Sequence, residues 1–249
     1  MSIELYKGDC LEIMKDIKDK SIDMILCDLP YGTTACKWDN IIPFEPLWEQ
    51  YKRIIKDNGA IVLFGTEPFS SQLRMSNFKM YKYDWIWIKN VPTGYLEAKN
   101  KPMRKSENIL VFSKGSSANG CKNRLVYNPQ GLIEINKINK NSNNSDVYGE
   151  RNCRKKGNIF MSKYTNYPNN ILFFNKDTNR LHPTQKPVPL LEYLIKTYTN
   201  EGETVLDNCM GSGSCGVACM NTNRNFIGIE LDENYFNIAK KRIENVKNI

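Results

Sequence analysis

Between residues 204 and 230 the chain spells a strand, a glycine loop, a helix and a second strand, and only one helix's worth of sequence follows. Thr204-Val205-Leu206-Asp207 is short and apolar, and Asn208-Cys209-Met210-Gly211-Ser212-Gly213-Ser214-Cys215-Gly216 leads into the helical Val217-Ala218-Cys219-Met220. Gly211, Gly213 and Gly216 match G-x-G-x-x-G, and Glu230 ends the next strand where an acid for ribose hydroxyls is expected. Glycines allow close approach of backbone and ligand, and the helix start attracts an anion. No lysine follows the glycines, which excludes a triphosphate-binding loop. A dinucleotide fold would need a second mononucleotide half after Glu230. The remaining strands must therefore come from earlier in the chain, as in a circular permutation with the first βαβ unit written last. This pattern points to an adenosine-bearing cofactor and away from a nicotinamide dehydrogenase.

The earlier chain has strands to supply. Short apolar runs occur at Ile3 to Tyr6, Ile22 to Cys27, Ala60 to Phe64, Trp85 to Ile88 and Ile109 to Phe112, and two more at Thr204 to Leu206 and Phe226 to Ile229. Such runs suit parallel strands buried on both faces. Helical stripes intervene: Leu190, Leu191, Leu194, Ile195 and Tyr198 behind Pro187 and Pro189, and Tyr235, Ala239, Ile243 and Val246 behind Asp232 as N-cap. Alternating strands and helices predict an α/β sheet with right-handed crossovers. Trp85 and Trp87 are expected in the core. Residues 115 to 180 interrupt the rhythm with a polar, Asn-rich stretch and read as an insertion, which divides the chain into 1–114, 115–180 and 181–249.

Charge and cysteine content narrow the chemistry. The net charge is +8, and residues 115 to 180 hold eleven Lys and Arg against four acids, so most of the excess lies there. Tyrosines at 127, 148, 164 and 167 and many asparagines are mixed with it, a combination suited to phosphate and base contacts. The eight cysteines form no C-x-x-C pair and sit singly in apolar runs, as buried reduced thiols do. With His182 the only histidine, no metal centre is expected. No apolar run spans a bilayer and the first residues lack a signal-peptide core, so a soluble cytoplasmic protein is expected.

Cys27-Asp28-Leu29-Pro30-Tyr31-Gly32, at the end of an apolar run, has two readings. It is a simple chain reversal, or a rigid mount that brings a carboxylate, a carbonyl and an aromatic ring to one substrate.

Four motifs taken together favour the second reading. Gly8-Asp9-Cys10-Leu11-Glu12, Asp28-Leu29-Pro30-Tyr31, His182-Pro183-Thr184-Gln185-Lys186-Pro187 and Asp207 to Ser214 occur in the order and with the character of the β-class amino-methyltransferases of DNA. The second resembles that family's D-P-P-Y, the third its H-P-T-Q-K-P, and the fourth its D-P-F-x-G-S-G-T. The stretch from Arg104 to Phe112 resembles the one that closes the catalytic half. The sequence departs at Leu29 for Pro, at Asn208-Cys209 for Pro-Phe and at Ser214-Cys215 for Thr-Thr. These changes are expected to tune the site, because the acting groups are present.

The resemblance implies a Rossmann-like, seven-stranded methyltransferase sheet, circularly permuted, with a small target-recognition insertion at 115–180. It implies S-adenosylmethionine as cofactor and transfer of its methyl group to an exocyclic amine of a base flipped out of double-stranded DNA. On that basis Asp28 and the Leu29 carbonyl take the amine, Pro30 stiffens the turn and Tyr31 stacks on the base. Asp9, Cys10, Asp28, Thr184, Lys186, Asp207, Asn208, Gly211, Ser212, Gly213, Glu230 and Leu231 line the cofactor. Asp9 and Asp207 also read as ordinary capping acids. Lys37, Lys89, Arg104, Arg151, Arg154, Lys155 and Lys156 are the expected DNA contacts. The opening Asp favours adenine N6, with cytosine N4 as the alternative and a DNA-binding protein without catalysis as the rival from another class. The family also leaves room for a homodimer and a cognate restriction endonuclease, in the cytoplasm of a bacterium or a phage-infected cell.

Overall fold

The structure, a computed structural model, describes residues 1–32, 39–140, 157, 159–176 and 185–247. The strands are β1 (Ile3–Lys7), β2 (Ile22–Cys27), β3 (Ile55–Gly65), β4 (Tyr81–Thr93), β5 (Arg104–Phe112), β6 (Ile133–Lys140), β7 (Ile159–Thr165), β8 (Ile171–Phe173), β9 (Thr204–Asp207) and β10 (Asn225–Glu230). The α-helices are α1 (Cys10–Ile13), α2 (Phe44–Ile54), α3 (Phe69–Ser76), α4 (Val188–Tyr198), α5 (Ser214–Asn221) and α6 (Glu233–Lys247). Chain compactness separates one unit, 1–128 with 170–249, from a second, 129–169.

The first unit holds a sheet ordered β1-β10-β9-β2-β3-β5-β4-β8. From β1 to β3 every pairing is parallel. The late strand β10 lies between β1 and β9, as the permuted reading requires. β5 runs antiparallel to both its neighbours, β3 and β4. A strand buried on both faces carries the same apolar run whichever way it points, so the run could not reveal that reversal.

Among the described residues the sheet has eight strands where seven were expected. The extra strand, β8, pairs Ile86, Trp87 and Ile88 with Ile171, Leu172 and Phe173. Only Leu172 of the three is buried, so the segment carries no apolar run to read. The compact second unit is also narrower than 115–180. Residues 115–128 pack on the sheet unit through buried Leu125, Val126 N–H to Asn58 O at 3.1 Å and Asn128 N–H to Thr197 O at 2.7 Å. In the second unit, β6 and β7 form an antiparallel hairpin whose side chains are nearly all exposed.

Alternation along the strands splits the core into two layers. Met24 and Leu26 of β2 face the layer built with α4, α5 and α6, around Leu190, Leu194, Ala218 and Ile243. Ile25 and Cys27 face Leu47, Tyr51 and Ile54 of α2 and Phe69 and Leu73 of α3. Trp85 and Trp87 are core residues, as expected. Asp232 caps α6 by accepting from the N–H groups of Asn234 and Tyr235. Gly213 precedes α5 at φ +78°, and a Cβ there would lie 2.9 Å from that of Ala239, so α5 and α6 pack closely because it is glycine. Strand order reverses between β9 and β2, and in open α/β sheets ligands bind at the carboxyl ends of the strands at such a point. Asp207 ends β9, Asp28 follows β2 and Glu230 ends β10.

Candidate active site

A cavity of about 670 Å³ opens at that switch point, lined among others by Asp9, Asp28, Tyr31, Glu107, Lys186, Asp207, Gly211 and Glu230. At one end stands Asp28. Tyr31 Oη donates to Asp28 Oδ1 at 2.7 Å and lies 3.1 Å from Glu107 Oε1. Lys186 Nζ donates to Asp28 Oδ2 at 2.6 Å and to Glu107 Oε1 at 2.9 Å. Lys89 Nζ meets Glu107 Oε2 at 2.7 Å. Two carboxylates and two ammoniums are thus interleaved in a buried setting, where charges persist only if paired.

Their protonation follows from this arrangement. Burial would raise Glu107, but Lys186 and Lys89 outweigh it and hold the carboxyl at about 2. Burial raises Asp28 above the usual carboxylate range, Glu107 adds to that, and Lys186 opposes it. Burial alone would lower the Lys186 ammonium, but Asp28 and Glu107 raise it. Burial and the same two carboxylates push the Tyr31 phenol well up.

The turn is held from the side. Asp39 Oδ1 accepts from the N–H groups of Tyr31 at 2.8 Å and Gly32 at 2.9 Å. The Tyr31 ring stacks on Phe69 at 4.7 Å. Leu29, in place of proline, is buried among the α2–α3 layer residues. Apolar burial and the Asp39 clamp supply the rigidity that a second proline would otherwise bring.

At the other end the acids rest on backbone amides. Glu230 accepts from Gly211 N–H and from Asp232 N–H, each at 2.8 Å. Asp207 accepts from Cys209 N–H at 3.1 Å, and burial pushes its carboxyl up to about 7. Asp9 caps α1 through Leu11 N–H at 2.7 Å and also lines the cavity. Asn208 is tied into the protein: Tyr51 Oη donates to its Oδ1 at 2.6 Å, and its Nδ2 faces the Cys10 and Cys209 sulfurs at 3.6 Å. Ser212 Oγ donates to Gln185 Oε1 at 3.2 Å. Gly213 is the N-cap of α5, and Leu231 is exposed at the cavity wall.

Lys89 departs from expectation. It was expected to meet DNA, but it is only 6% exposed and its ammonium is committed to Glu107. Arg104 is exposed at the cavity rim. Thr184, His182, Lys37, Arg151, Arg154, Lys155 and Lys156 lie outside the described residues. Lys186, expected at the cofactor, lines the cavity and pairs there with Asp28 and Glu107. Glu107 and Asp39 were not anticipated. The one signal for Glu107 was an acid two residues before the apolar run Ile109 to Phe112.

A Rossmann-like sheet with acids at three strand ends and an Asp-x-Pro-Tyr turn over one cavity defines a methyltransferase acting on an amine. Residues 22–241 match the N6/N4 methyltransferase family model described as DNA methylase, and the chain belongs to that family. Type II methyltransferase M.HpaI of Haemophilus parainfluenzae is 26% identical, over 98% of this chain and 75% of that protein. Type II methyltransferase M2.DpnII of Streptococcus pneumoniae is 28% identical, over 96% and 89%. The crystal structure of an M1.HpyAVI–SAM complex superposes with a TM-score of 0.67 at 27% identity, covering 97% of this chain and 98% of that one. The cytosine-N4-specific PvuII DNA methyltransferase shares the fold, with a TM-score of 0.68 at 13% identity.

Proposed function

We propose that this DNA methyltransferase transfers the methyl group of S-adenosylmethionine to the N6 amino group of a flipped adenine at a specific site in duplex DNA. The observation that carries the reading is Asp28, anchored on both oxygens yet lining the same cavity as Asp9, Asp207 and Glu230. An opening Asp in this motif goes with N6 more often than with cytosine N4.

The cavity fits the cofactor in size and donor set. About 670 Å³ is within the range of small-ligand sites. Glu230 would take ribose hydroxyls, Asp9 the adenine amine and Asp207 the ammonium, with the Gly211–Gly213 turn at the carboxylate. When bound, S-adenosylmethionine supplies a methyl group on a sulfonium, an electrophile with a neutral leaving group.

The chain's residues do the rest. An exocyclic amine is a poor nucleophile because its lone pair is delocalised into the ring. An ionised carboxylate has about four lone-pair sites, so Asp28 can accept an amine N–H while Tyr31 and Lys186 keep theirs. The Leu29 carbonyl would take the second N–H, which favours a pyramidal nitrogen and stabilises its developing charge. The raised proton affinity of Asp28 suits it to receive the proton that the methylated nitrogen sheds.

DNA contact has two supports. A second cleft of about 810 Å³ shares Lys89, Lys176 and Gln185 with the site and is also lined by Lys105, Arg242, Asn90 and Phe173. The β6–β7 hairpin exposes Ile133, Ile138, Ile159 and Met161 beside Lys137, Lys140 and Lys163. Among the described residues its sheet holds these two strands, a pairing that is marginal in water by itself, and we assign this unit to target recognition.

The test is nucleoside mass spectrometry of duplex DNA methylated by the purified protein. N6-methyladenine is expected, and N4-methylcytosine overturns the base assignment. Asp28→Ala should lose about 10²–10³-fold in rate with cofactor binding intact, and a fully active variant removes Asp28 from the chemistry.

A further inference from the structure

The excursion between β4 and β5 leaves the sheet and returns to it at the cavity mouth. Thr93 and Arg104 are paired in register, with Thr93 Oγ1 donating to Arg104 O at 3.3 Å, and both line the cavity that holds Asp28. The tip between them presents apolar side chains to water: Tyr95 is 81% exposed and Leu96 96%, with Val91 and Met103 exposed at its base.

This tip is built, not slack. Gly94 turns the chain at φ +92°, a left-handed backbone that favours glycine. Tyr95–Glu97 forms a 3₁₀ turn, with Glu97 N–H and Ala98 N–H donating to Gly94 O and Tyr95 O at 3.1 Å. Asn100 N–H and Lys101 N–H donate to Glu97 O, and Lys101 pairs with the Glu97 side chain. Pro92 and Pro102 stiffen the two arms. Lys99, Lys101, Arg104 and Lys105 stand against the single acid Glu97 between residues 94 and 105, and all are exposed.

An ordered, apolar, cation-flanked tip beside a base-accepting cavity matches the needs of a wedge. A base cannot reach Asp28 from inside the duplex. Apolar side chains inserted at a base step unstack it, while cations hold the backbone. We infer that Tyr95 and Leu96 enter the duplex beside the target and fill the space the flipped base leaves. The inference rests on the proposed DNA amino-methyltransferase activity and adds how the base is extracted. The positive surround favours a nucleic acid over a second copy of this basic chain as the occupant.

The experiment compares the wild type with Tyr95→Ala/Leu96→Ala on two duplexes carrying the site mapped from the wild type's own product. One is fully paired, and the other has an abasic position opposite the target, where extraction is easier. The double variant should lose about tenfold or more in kcat/KM on the paired duplex, the scale of a lost unstacking contribution. The loss should shrink to within about twofold on the abasic duplex, because the step the wedge serves has been bypassed. Thermal stability and cofactor affinity should match the wild type, and Leu96→Met should keep most of the activity. Equal losses on both duplexes, no loss on either, or a changed oligomeric state in sedimentation would overturn the wedge. A wild type that methylates neither duplex would instead bring down the underlying activity, and the wedge with it.

Discussion

At the glycine-loop end of the cavity, Glu230 and Asp207 are fixed by backbone N–H groups of residues two to nineteen positions away. At the Asp28 end, the carboxylate is fixed by Lys186, 158 residues on, and by Tyr31, three residues on, which is itself tied to Glu107, 76 residues from it. The first end is a local device that any strand–loop–helix of the right spelling reproduces. The second exists only once β2, β4, β5 and the lead-in to α4 have assembled. The two ends should therefore fail in different ways when altered.

The largest effect is expected at Glu107. Glu107→Gln leaves Lys89 without its carboxylate and Lys186 with Asp28 alone, a net buried positive charge. Stability should fall by about 3 kcal/mol in urea titration, as for other broken buried pairs. Methyl transfer should slow by about 10–100-fold through loss of Asp28 geometry, with cofactor affinity nearly unchanged. Adding Lys89→Met removes the orphaned ammonium and should recover most of the stability but not the rate. If the rate returns with the stability, Glu107 only supports the fold and the two ends are less distinct than their contacts suggest.

The same contrast decides what could be read before any coordinates. Strand–glycine–helix spacing and the acid ending β10 are short-range patterns, so the permuted sheet and the placement of Asp207, Gly211 and Glu230 were legible. The Asp28 turn was legible as a motif, but not its partners. Lys89 looked like a surface cation because sequence records charge without burial, and its partner Glu107 comes from the neighbouring strand β5. Asn208 was legible from its place in the motif and lines the cavity, but its partner Tyr51, from a helix 157 residues earlier, was not. β8 was invisible because three residues with one buried side chain carry no pattern.

A smaller, pH-dependent effect belongs to the backbone-held end. Burial raises the Asp207 carboxyl to about 7 in the folded chain, against about 3.9 in an unfolded one. The native state therefore binds more protons between about pH 4 and 7, and stability falls as pH rises through that window. From pH 5.5 to 8, Asp207 should cost the cofactor-free protein about 2 kcal/mol. Asp207→Asn should flatten that slope in denaturation series at the two pH values. Asp28 and Glu230, also raised, contribute in the same direction, so the difference between variant and wild type isolates Asp207. An unchanged slope would mean that water or a neighbouring donor compensates the charge.

The smallest effect is expected at Glu230, and it sharpens the contrast most. Both of its oxygens already accept a backbone N–H at 2.8 Å, so Glu230→Gln turns an amide NH₂ toward one of those donors and removes the charge. Hydrogen bonds to a charged acceptor are worth about 1.5–3 kcal/mol, part of which the remaining oxygen keeps. Cofactor affinity should weaken about tenfold by calorimetry, while methyl transfer at saturating cofactor stays within about twofold of the wild type. That pattern, a binding loss with the chemistry preserved, is the opposite of the one expected at Glu107. If Glu230→Gln slowed the saturated rate as Glu107→Gln does, the acids on backbone amides and the acids on lysines would belong to one coupled site, and the division between the ends would fail.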